Sequence, residues 1–480
     1  MYDVAIIGAG VVGALTARLL SRYDLKLCIL EKCGDVAMGT SKANSAIVHA
    51  GFDAPEGSMK AKLNVRGSEM MEQIAGELGV KYRRNGSLVI ARSEAEMAQV
   101  RILCDRGTAN GVRDLRVIGP EELRELEPNI SKNALGALYA PTGAIICPYD
   151  LTIAAVGNAM DNGADLKLDF AVTAIDREAG FFRIHAPAGT VEARYVVNAA
   201  GLYADAIAAM VGDNSFHIHP RRGEYVLLDR ECGGHVSRTI FQPPTKAGKG
   251  ILVTPTVDGN LLLGPTSEDR TDKEDKDTTA EGLAAVQRLA AESVEALPRN
   301  KIITSFCGLR AVGDTGDFII RPACPGFVSA AGIESPGLSA APAIAEELAA
   351  LLEKEGLVLT EKADFDPIRP SSHHFREASM EEKNAIIVKD PAYGRIVCRC
   401  ETVTEGEIIA AIRTNPGARD LDGVKRRTRA QMGRCQGGFC GPAIVEILAR
   451  ELGIPFEAVT KCGGGSYINI GKTKEVGIHD

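Results

Sequence analysis

Residues 2 to 20, "YDVAIIGAGVVGALTARLL", join a short apolar run to a glycine-rich turn and a second apolar stretch. The run before the turn predicts a buried strand, and the stretch after it predicts a helix. In this G-x-G-x-x-G spacing, Gly8 permits a tight turn, Gly10 lets a pyrophosphate approach the backbone, and Gly13 lets the helix pack on the strand. The helix N-terminus adds NH donors and positive potential. The stretch therefore predicts a site for an adenine dinucleotide.

Three further segments extend this prediction. Residues 25 to 30 predict a second strand that ends at Glu31, which is placed for a ribose hydroxyl. Residues 193 to 205 predict a strand followed by a small-residue turn that lies against a nucleotide or flavin edge. Residues 326 to 352 predict a strand, a Pro-Gly turn and an alanine-rich helix. The N-terminus of that helix can face the N1/O2 edge of a flavin and stabilise its anionic reduced ring.

Between Glu31 and these later segments lie "TSKANSAIVHAGF" (40 to 52) and "PEGSMKAKLNVRG" (55 to 67). With them the chain resembles the D-amino-acid oxidase-like FAD enzymes over about residues 1 to 360, above all their glycerol-3-phosphate dehydrogenase and L-2-hydroxyglutarate oxidase branches. The resemblance implies bound FAD, with residues 40 to 67 passing over the flavin ring. The FAD-binding residues that we expect are Gly8, Gly10, Gly13, Glu31, Lys32, Ser41, Asn44, Ser45, Ala200, Gly201, Gly332, Gly337, Leu338 and Ser339.

Cysteines are concentrated near the C-terminus, in "VCRC" and in "MGRCQGGFCGP". Clustered cysteines in a chain without an export signal more often bind metal or do redox chemistry than form disulfides. Each pair precedes a predicted helix, since Thr404 and Glu407 have capping-box spacing and residues 441 to 453 form a second apolar stretch. Helix N-termini supply NH donors for thiolates. A further cysteine, Cys462, has no role that we can assign.

The spacing C-x-C, 34 residues, C-x4-C resembles the [2Fe-2S] domain named for bacterioferritin-associated ferredoxin, in the version fused to anaerobic glycerol-3-phosphate dehydrogenase and related flavoproteins. The resemblance implies a [2Fe-2S] cluster bound by Cys398, Cys400, Cys435 and Cys440. Structural zinc is the rival interpretation, although C-x-C fits one tetrahedral ion poorly.

The expected fold class is therefore α/β: a Rossmann-like FAD-binding domain interrupted by a β-rich substrate cap domain, plus a small helical C-terminal iron–sulfur domain. The boundaries that we expect are 1–75, 145–210 and 305–360 for the FAD-binding domain, 76–144 and 211–304 for the cap, 364–395 for a linker, and 396–480 for the [2Fe-2S]-binding domain.

Several segments outside the nucleotide motifs also carry predictions. Residues 86–92, 181–186 and 223–228 predict strands because they are β-branched or aromatic and bounded by turn residues, and we assign them to the substrate domain. The charge run at 267–280 predicts a solvated loop. In the proline-containing linker, His373 and His374 are expected to be exposed and without function.

Hydride transfer from an alcohol to a flavin requires a base for the hydroxyl proton, and an anionic substrate requires a guanidinium group. His49 in "NSAIVHAG" is the favoured base, with His217 and His219 second because they share one strand face. A structural role and covalent attachment of FAD remain alternatives for His49. Arg310 matches a family arginine that binds the substrate anion, and Arg321 falls where glycerol-3-phosphate enzymes have another.

Glycerol 3-phosphate, oxidised to dihydroxyacetone phosphate, is the substrate that these motifs favour most. One departure keeps L-2-hydroxyglutarate or another 2-hydroxy acid open: Asp53 stands where the phosphate-oxidising enzymes have an arginine after the flavin-facing histidine. A non-catalytic electron-transfer subunit with the same fold is the third alternative.

Composition limits the partners. The chain has 480 residues, 45% of them hydrophobic, and a net charge of −8, which argues against nucleic acid as a partner. It begins "MYDVAIIGAG", without a signal-peptide pattern, and has no transmembrane run, so we expect a cytoplasmic protein. We expect electrons to leave through the cluster to a redox partner subunit, which could also bring the protein to a membrane surface.

Overall fold

The structure, a computed structural model, describes residues 1–244, 250–370 and 375–471. His373 and His374 lie outside the described residues. In chain order the strands are β1 (Tyr2–Ile7), β2 (Leu27–Leu30), β3 (Ile47–Val48), β4 (Tyr82–Arg83), β5 (Ser87–Ala91), β6 (Arg116–Ile118), β7 (Gly136–Ala140), β8 (Ala144–Ile146), β9 (Asp165–Lys167), β10 (Ala174–Glu178), β11 (Phe181–Ala186), β12 (Gly189–Asn198), β13 (Ile218–Leu228), β14 (Thr239–Phe241), β15 (Leu252–Pro255), β16 (Leu261–Gly264), β17 (Glu268–Asp269), β18 (Ile302–Gly313), β19 (Ile319–Cys324), β20 (Phe327–Ala331), β21 (Ile396–Cys398) and β22 (Val403–Thr404).

The α-helices are α1 (Val11–Leu20), α2 (Met59–Glu77), α3 (Glu94–Ala109), α4 (Pro120–Leu126), α5 (Pro148–Asp161), α6 (Ala204–Ala209), α7 (Ala280–Ser293), α8 (Gly337–Lys354), α9 (Met380–Lys389), α10 (Glu405–Arg413), α11 (Leu421–Thr428) and α12 (Gly441–Leu452). No helix among the described residues is both long and apolar enough to cross a membrane.

The first sheet has the order β10-β11-β12-β1-β2-β9, with β20 beside β12 and β19 beside β20. Strands β1, β2 and β12 run parallel, and Ile7 is in register with both Leu30 and Asn198. The carboxyl ends of these strands therefore meet at one edge, where open α/β sheets bind ligands. Helices α1, α5 and α8 cover one face, and Phe170, Phe182 and Ile207 pack on the other, so the strands are apolar throughout rather than alternating.

The second sheet has the order β17-β13-β16-β15-β14-β5-β7-β6, with β18 beside β13. Its longest pairing is the antiparallel one between β13 and β18, in which the rings of Tyr225 and Phe306 stack at 4.7 Å between centroids. Strand β18 ends next to the first sheet, so this pair carries cap residues to the nucleotide edge. The assignment of residues 181–186 to the substrate domain is wrong, because β11 pairs with β10 and β12 in the first sheet.

The segment predicted as a linker contains helix α9, which the linker prediction missed. Ser379 and Glu382 form a complete capping box at its N-terminus. Beyond it, β21 pairs with β22, and α10, α11 and α12 enclose a small apolar core that includes Ile408, Val424 and Leu448. Thr404 and Glu407 form the predicted capping box of α10. This C-terminal domain packs against α5 of the first sheet.

Candidate functional site

A cavity of about 830 Å³ lies between the carboxyl edge of the first sheet and the β13–β18 pair of the second. Its volume falls within the range of about 300–1,000 Å³ that is typical of small-molecule sites. The predicted FAD-binding residues that line it are Gly8, Gly10, Glu31, Lys32, Ser41, Asn44, Ser45, Ala200, Gly201, Gly337 and Leu338. The structure thus brings together residues that lie more than 300 positions apart in the chain.

The glycine turn forms one wall of this cavity from backbone alone. Gly8 has φ +106°, and a Cβ there would lie 2.4 Å from the carbonyl oxygen of Ala199. Gly10 is the N-cap of α1, and the NH of Val11 donates to Ser41 Oγ at 2.9 Å. The first turn of α1 thus presents NH groups at the cavity wall, where they can bind a pyrophosphate.

Two side chains shape the end of the cavity near β2. The buried Glu31 carboxylate accepts hydrogen bonds from the NH groups of Ala9 at 2.9 Å and Cys33 at 3.0 Å. Lys32 lies over the ring of Tyr203, 3.8 Å from its centroid, and forms an ion pair with Glu274 at 3.2 Å. The carboxylate lies at the carboxyl end of β2, where the motif predicts a ribose contact.

Gly13, Gly332 and Ser339 are not among the described residues that line the cavity. A Cβ on Gly13 would lie 2.0 Å from the carbonyl oxygen of Gly8, so this glycine lets α1 pack on the turn. Gly332 has φ +64° in the turn after β20. Ser339 is fully buried, and its Oγ accepts from the NH of His49 at 2.7 Å. These residues support the cavity wall from behind.

His49 and Arg310 both line the cavity. The His49 ring lies 5.8 Å from the ring of Phe241, centroid to centroid. Arg310 donates from Nη2 to the carbonyl oxygen of Thr266 at 2.8 Å. Within the described residues, Arg310 forms no ion pair with a carboxylate. A held guanidinium with no internal counter-charge suits an anionic ligand.

The structure places three other predicted site residues elsewhere. Arg321 is paired with Asp213 at 2.8 Å, and it is not among the described lining residues. His219 is paired with Asp269 at 3.4 Å, and His217 is exposed. Position along β13 explains the difference between His219 and Tyr225, which share one face of the strand. His219 lies at the start of β13, where it meets Asp269, whereas Tyr225 lies six residues further on and reaches the cavity.

Sequence reasoning missed Tyr225, Lys273 and Glu274, which all line the cavity. The Tyr225 hydroxyl lies 3.2 Å from Ser45 Oγ, and burial raises the pKa of this phenol. Lys273 and Glu274 belong to the charge run that predicted only a solvated loop. Alternation along "GEYVLL" was the available signal for Tyr225, whereas no local pattern distinguishes Lys273 from its charged neighbours.

The four predicted cluster ligands lie together in the C-terminal domain. Cys400 Sγ is 3.9 Å from Cys398 Sγ and 3.8 Å from Cys435 Sγ, and Cys398 is in hydrogen-bond contact with Cys440. Burial opposes charge on Cys435, but backbone NH groups of Phe439 and Gly437 outweigh it and lower the pKa of this thiol. Cys462 is exposed and lies apart from the four.

The arrangement of these thiols bears on which metal fits. They follow one another as Cys440, Cys398, Cys400 and Cys435, each close to the next. Sulfurs this close fit cysteines that share a metal centre, and the C-x-C spacing favours a two-iron cluster over a single tetrahedral zinc.

Comparison with known proteins agrees with both sites. Residues 3–351 match the family described as FAD dependent oxidoreductase, and residues 396–450 match the BFD-like [2Fe-2S] binding domain. Glycerol 3-phosphate dehydrogenase of Caloramator mitchellensis is 50% identical over 476 residues, 99% of each chain. The FAD-bound L-alpha-glycerophosphate oxidase structure from Mycoplasma pneumoniae has a TM-score of 0.73 at 33% identity and covers 77% of this chain and 98% of its own.

A more partial match is the L-2-hydroxyglutarate dehydrogenase of Escherichia coli (strain K12), which is 32% identical over 273 residues, 56% of this chain and 64% of its own. The full-length match therefore lies with the glycerol 3-phosphate enzyme. FAD and a [2Fe-2S] cluster are the cofactors that these matches and the two sites support. The chain belongs to the FAD dependent oxidoreductase family and carries a C-terminal BFD-like [2Fe-2S] binding domain.

Proposed function

We propose that this protein is a dehydrogenase that oxidises glycerol 3-phosphate to dihydroxyacetone phosphate and delivers the electrons through its cluster to a partner. The observation that carries the proposal is Arg310, a cavity-lining arginine without a carboxylate partner among the described residues. The full-length match to a glycerol 3-phosphate dehydrogenase supports the same substrate.

The cofactors would be held by the residues already described. The first turn of α1 and the N-terminus of α8 offer NH groups to FAD, Glu31 lies at the ribose position, and Cys398, Cys400, Cys435 and Cys440 would ligate the cluster. When bound, FAD supplies the acceptor for a hydride and the [2Fe-2S] cluster supplies a one-electron relay. The discontinuous domain boundaries predicted from the sequence stand as part of this proposal, except that β18 (Ile302–Gly313) belongs to the sheet of the cap rather than to the range 305–360.

Arg310 would bind and orient the substrate phosphate. Its bond to Thr266 fixes the guanidinium while leaving further N–H donors for a bidentate contact with phosphate oxygens. Tyr225, on the adjacent strand and bound to Ser45, borders the same space. Anchoring the phosphate would place the C2 hydroxyl at a fixed position, which contributes to rate by orientation.

His49 would take the proton of the C2 hydroxyl. Oxidation breaks the O–H and C2–H bonds of the substrate and forms a carbonyl group, so the proton must go to a base as the hydride leaves. An imidazole in the cavity wall is suited to this at neutral pH. Ser339 Oγ accepts a hydrogen bond from the backbone NH of His49 at 2.7 Å, which fixes the backbone from which the imidazole extends.

The alternatives have less support. Asp53 is the residue that keeps L-2-hydroxyglutarate open, but it is not among the described lining residues, and its carbonyl oxygen accepts from Arg106, which does not line the described cavity either, at 3.0 Å. A non-catalytic electron-transfer subunit does not require an anion-binding arginine in the flavin cavity. A redox partner and a cytoplasmic location remain predictions from the sequence.

The test is an anaerobic titration of the purified yellow protein. Glycerol 3-phosphate should bleach the visible flavin band with a stoichiometry of about one substrate per FAD. L-2-hydroxyglutarate, glycerol and inorganic phosphate serve as matched controls, since each carries only part of the substrate's chemistry. Bleaching by L-2-hydroxyglutarate and not by glycerol 3-phosphate would assign the 2-hydroxy-acid activity instead.

A further inference from the structure

Helix α11 of the C-terminal domain ends in basic residues that do not face solvent. Arg426 and Arg427 are 6% and 8% exposed, and both reach Asp35 of the flavin domain, which is 4% exposed. Arg427 donates from Nη2 to Asp35 Oδ1 at 2.7 Å and from Nη1 to Oδ2 at 2.9 Å. Arg426 donates to the same Oδ2. One carboxylate is therefore shared by two guanidinium groups across a domain boundary.

Asp35 lies in the segment that carries much of the flavin cavity wall. Residues 31–33 before it and 38–47 after it all line the cavity, and we call residues 31–47 the flavin loop. Val36 and Ala37 are fully buried, and the NH of Ala37 donates to the carbonyl oxygen of Ala9 in the glycine turn at 3.0 Å. Asp35 is thus the point where the flavin loop is tied to the C-terminal domain.

A buried carboxylate of this kind depends on its partners. Removing one member of a buried ion pair leaves an uncompensated charge in a medium of low dielectric constant, which is strongly destabilising. Without the arginines, the Asp35 carboxylate would have to reach water, and residues 31–47 would have to shift with it. Such a shift would disturb Glu31 and Ser41, which line the cavity and accept hydrogen bonds from the NH groups of Ala9 and Val11 in the glycine turn.

The same helix also acts on the loop electrostatically. Lys42 lines the cavity, and its pKa is lowered first by burial and then by the positive charge of Arg426, against the opposing effect of Asp422. Charges on α11 therefore influence the pKa of a residue that lines the flavin cavity.

We propose that Arg426 and Arg427 are positioning residues of the FAD site. Acting through Asp35, they hold the flavin loop in the shape that retains FAD, so that tight FAD binding requires a correctly folded cluster domain. This inference rests on the proposed FAD residues but not on the proposed substrate.

Helix α11 is in turn tied to the cluster ligands. Gln431 donates from Nε2 to the carbonyl oxygen of Leu421 at 3.1 Å, and Arg429 donates to Glu401, the residue after Cys400, at 3.1 Å. Loss of the cluster would weaken these contacts first, and then the ion pairs of Asp35 with Arg426 and Arg427. Protein lacking the cluster should therefore bind FAD more weakly.

The test measures release of FAD from purified holoprotein, followed by the fluorescence of free FAD on dilution. The double variant Arg426→Gln, Arg427→Gln and the single variant Asp35→Asn should each raise the Kd for FAD by about tenfold or more. Arg413→Gln is the matched control, because Arg413 pairs with Glu451 at the exposed surface of the same domain, and it should stay within about twofold of wild type.

One further measurement separates positioning from general loss of stability. Arg427→Lys should recover most of the FAD affinity that Arg427→Gln loses. If the double variant fails to fold, Asp35→Asn decides alone, since it changes no residue of the cluster domain. Wild-type FAD affinity in a folded, iron-loaded Asp35→Asn protein would overturn the inference, whereas failure of glycerol 3-phosphate to bleach the flavin would leave it standing.

Discussion

The two walls of the flavin cavity differ in composition, since one is formed mainly by backbone groups and the other mainly by side chains. The nucleotide wall is backbone: Gly8 and Gly10 leave room for a ligand, and the first turn of α1 offers NH groups. The cap wall is side chain, with Arg310 and Tyr225 held by Thr266 and Ser45 from neighbouring segments. A wall made of backbone determines which cofactor fits, and it tolerates few substitutions that add atoms. Substitutions in a wall made of side chains can alter the substrate that binds without altering the fold.

The largest effect should come from adding one methyl group to the nucleotide wall. In Gly13→Ala the new Cβ would lie 2.0 Å from the carbonyl oxygen of Gly8, so α1 must move away from the turn. We expect a loss of about 3 kcal/mol of stability together with most of the bound FAD, as measured by thermal unfolding and by the ratio of FAD to protein.

The control for this change is Gly76→Ala in α2, where nothing lies within 4 Å of the added Cβ. It should be neutral or stabilising by up to about 1 kcal/mol, because alanine favours the helix. A Gly13→Ala protein with a full complement of FAD would contradict the close packing of helix and turn.

On the cap wall, Arg310→Met should lower kcat/KM for glycerol 3-phosphate by about 100-fold, mostly through KM, because a charge-assisted contact with the phosphate is lost. FAD content should be unchanged. Arg321→Met removes an arginine that pairs with Asp213 away from the lining, and it should stay within about threefold of wild type. Equal losses in the two variants would remove the case for Arg310 as the anion clamp.

Asp150, a partly buried carboxylate in the first turn of α5, gives a test of how the pH changes the stability of the fold. Burial, and then the charge of Asp258, raise the pKa of Asp150 to about 7, although Lys81, Arg369 and Arg427 lower it. Between about pH 5 and 7 the folded protein holds this proton while the unfolded chain has released it, so Asp150 costs more stability as the pH rises toward 7. Asp150→Asn should therefore gain about 2–3 kcal/mol relative to wild type over that range, measured by denaturant unfolding.

Asp35 should show a different pH dependence of stability from Asp150. Burial raises its pKa, but Arg427 and Arg426 outweigh burial and lower it to about 2. Its stabilising contribution is complete above its ordinary pKa and is lost only as the pH falls toward 2. The stability difference between Asp35→Asn and wild type should be constant from pH 5 to 8, and a slope like that of Asp150→Asn would show that its ion pairs are not formed.

The smallest effect should come from a single hydroxyl on each wall. Tyr225→Phe removes the contact with Ser45, and it should lower kcat/KM by about fivefold, roughly 1 kcal/mol, without changing FAD affinity. Tyr203→Phe removes a hydroxyl that donates to Glu274 near Lys32, and it should change FAD affinity and leave the substrate KM alone. If Tyr225→Phe changed FAD affinity and Tyr203→Phe changed the substrate KM, the assignment of one wall to the cofactor and the other to the substrate would be wrong.

Local patterns predicted much of this molecule. The strand, glycine turn and helix at residues 2–20 form as expected, because each depends on neighbours within a few positions. The capping box of α10 and the pairing of cysteines near helix N-termini are local in the same way. The capping box of α9, formed by Ser379 and Glu382, is also a local pattern. The prolines nearby predict a linker instead, and this is why the helix is missed.

The remainder depends on contacts between distant segments. Nothing near Arg321 shows that Asp213 will neutralise it, and nothing near Arg310 shows that it will lack such a partner among the described residues. The tie between Asp35 and α11 joins residues almost 400 positions apart. Ser339 was predicted to contact the cofactor, but folding places its hydroxyl on the backbone of His49. Such pairings follow from packing, which a single sequence does not display.

The central claim is that flavin and cluster act in series on glycerol 3-phosphate. It is tested most directly by anaerobic rapid mixing of a Cys435→Ser variant that retains its fold and FAD, alongside wild type. The variant should bleach its flavin with glycerol 3-phosphate at close to the wild-type rate, yet turn over poorly with a one-electron protein acceptor. Wild type should in addition show the electron paramagnetic resonance signal of a reduced [2Fe-2S] cluster. Unimpaired turnover in the variant would contradict the account and show that the flavin reduces the acceptor directly, without the cluster.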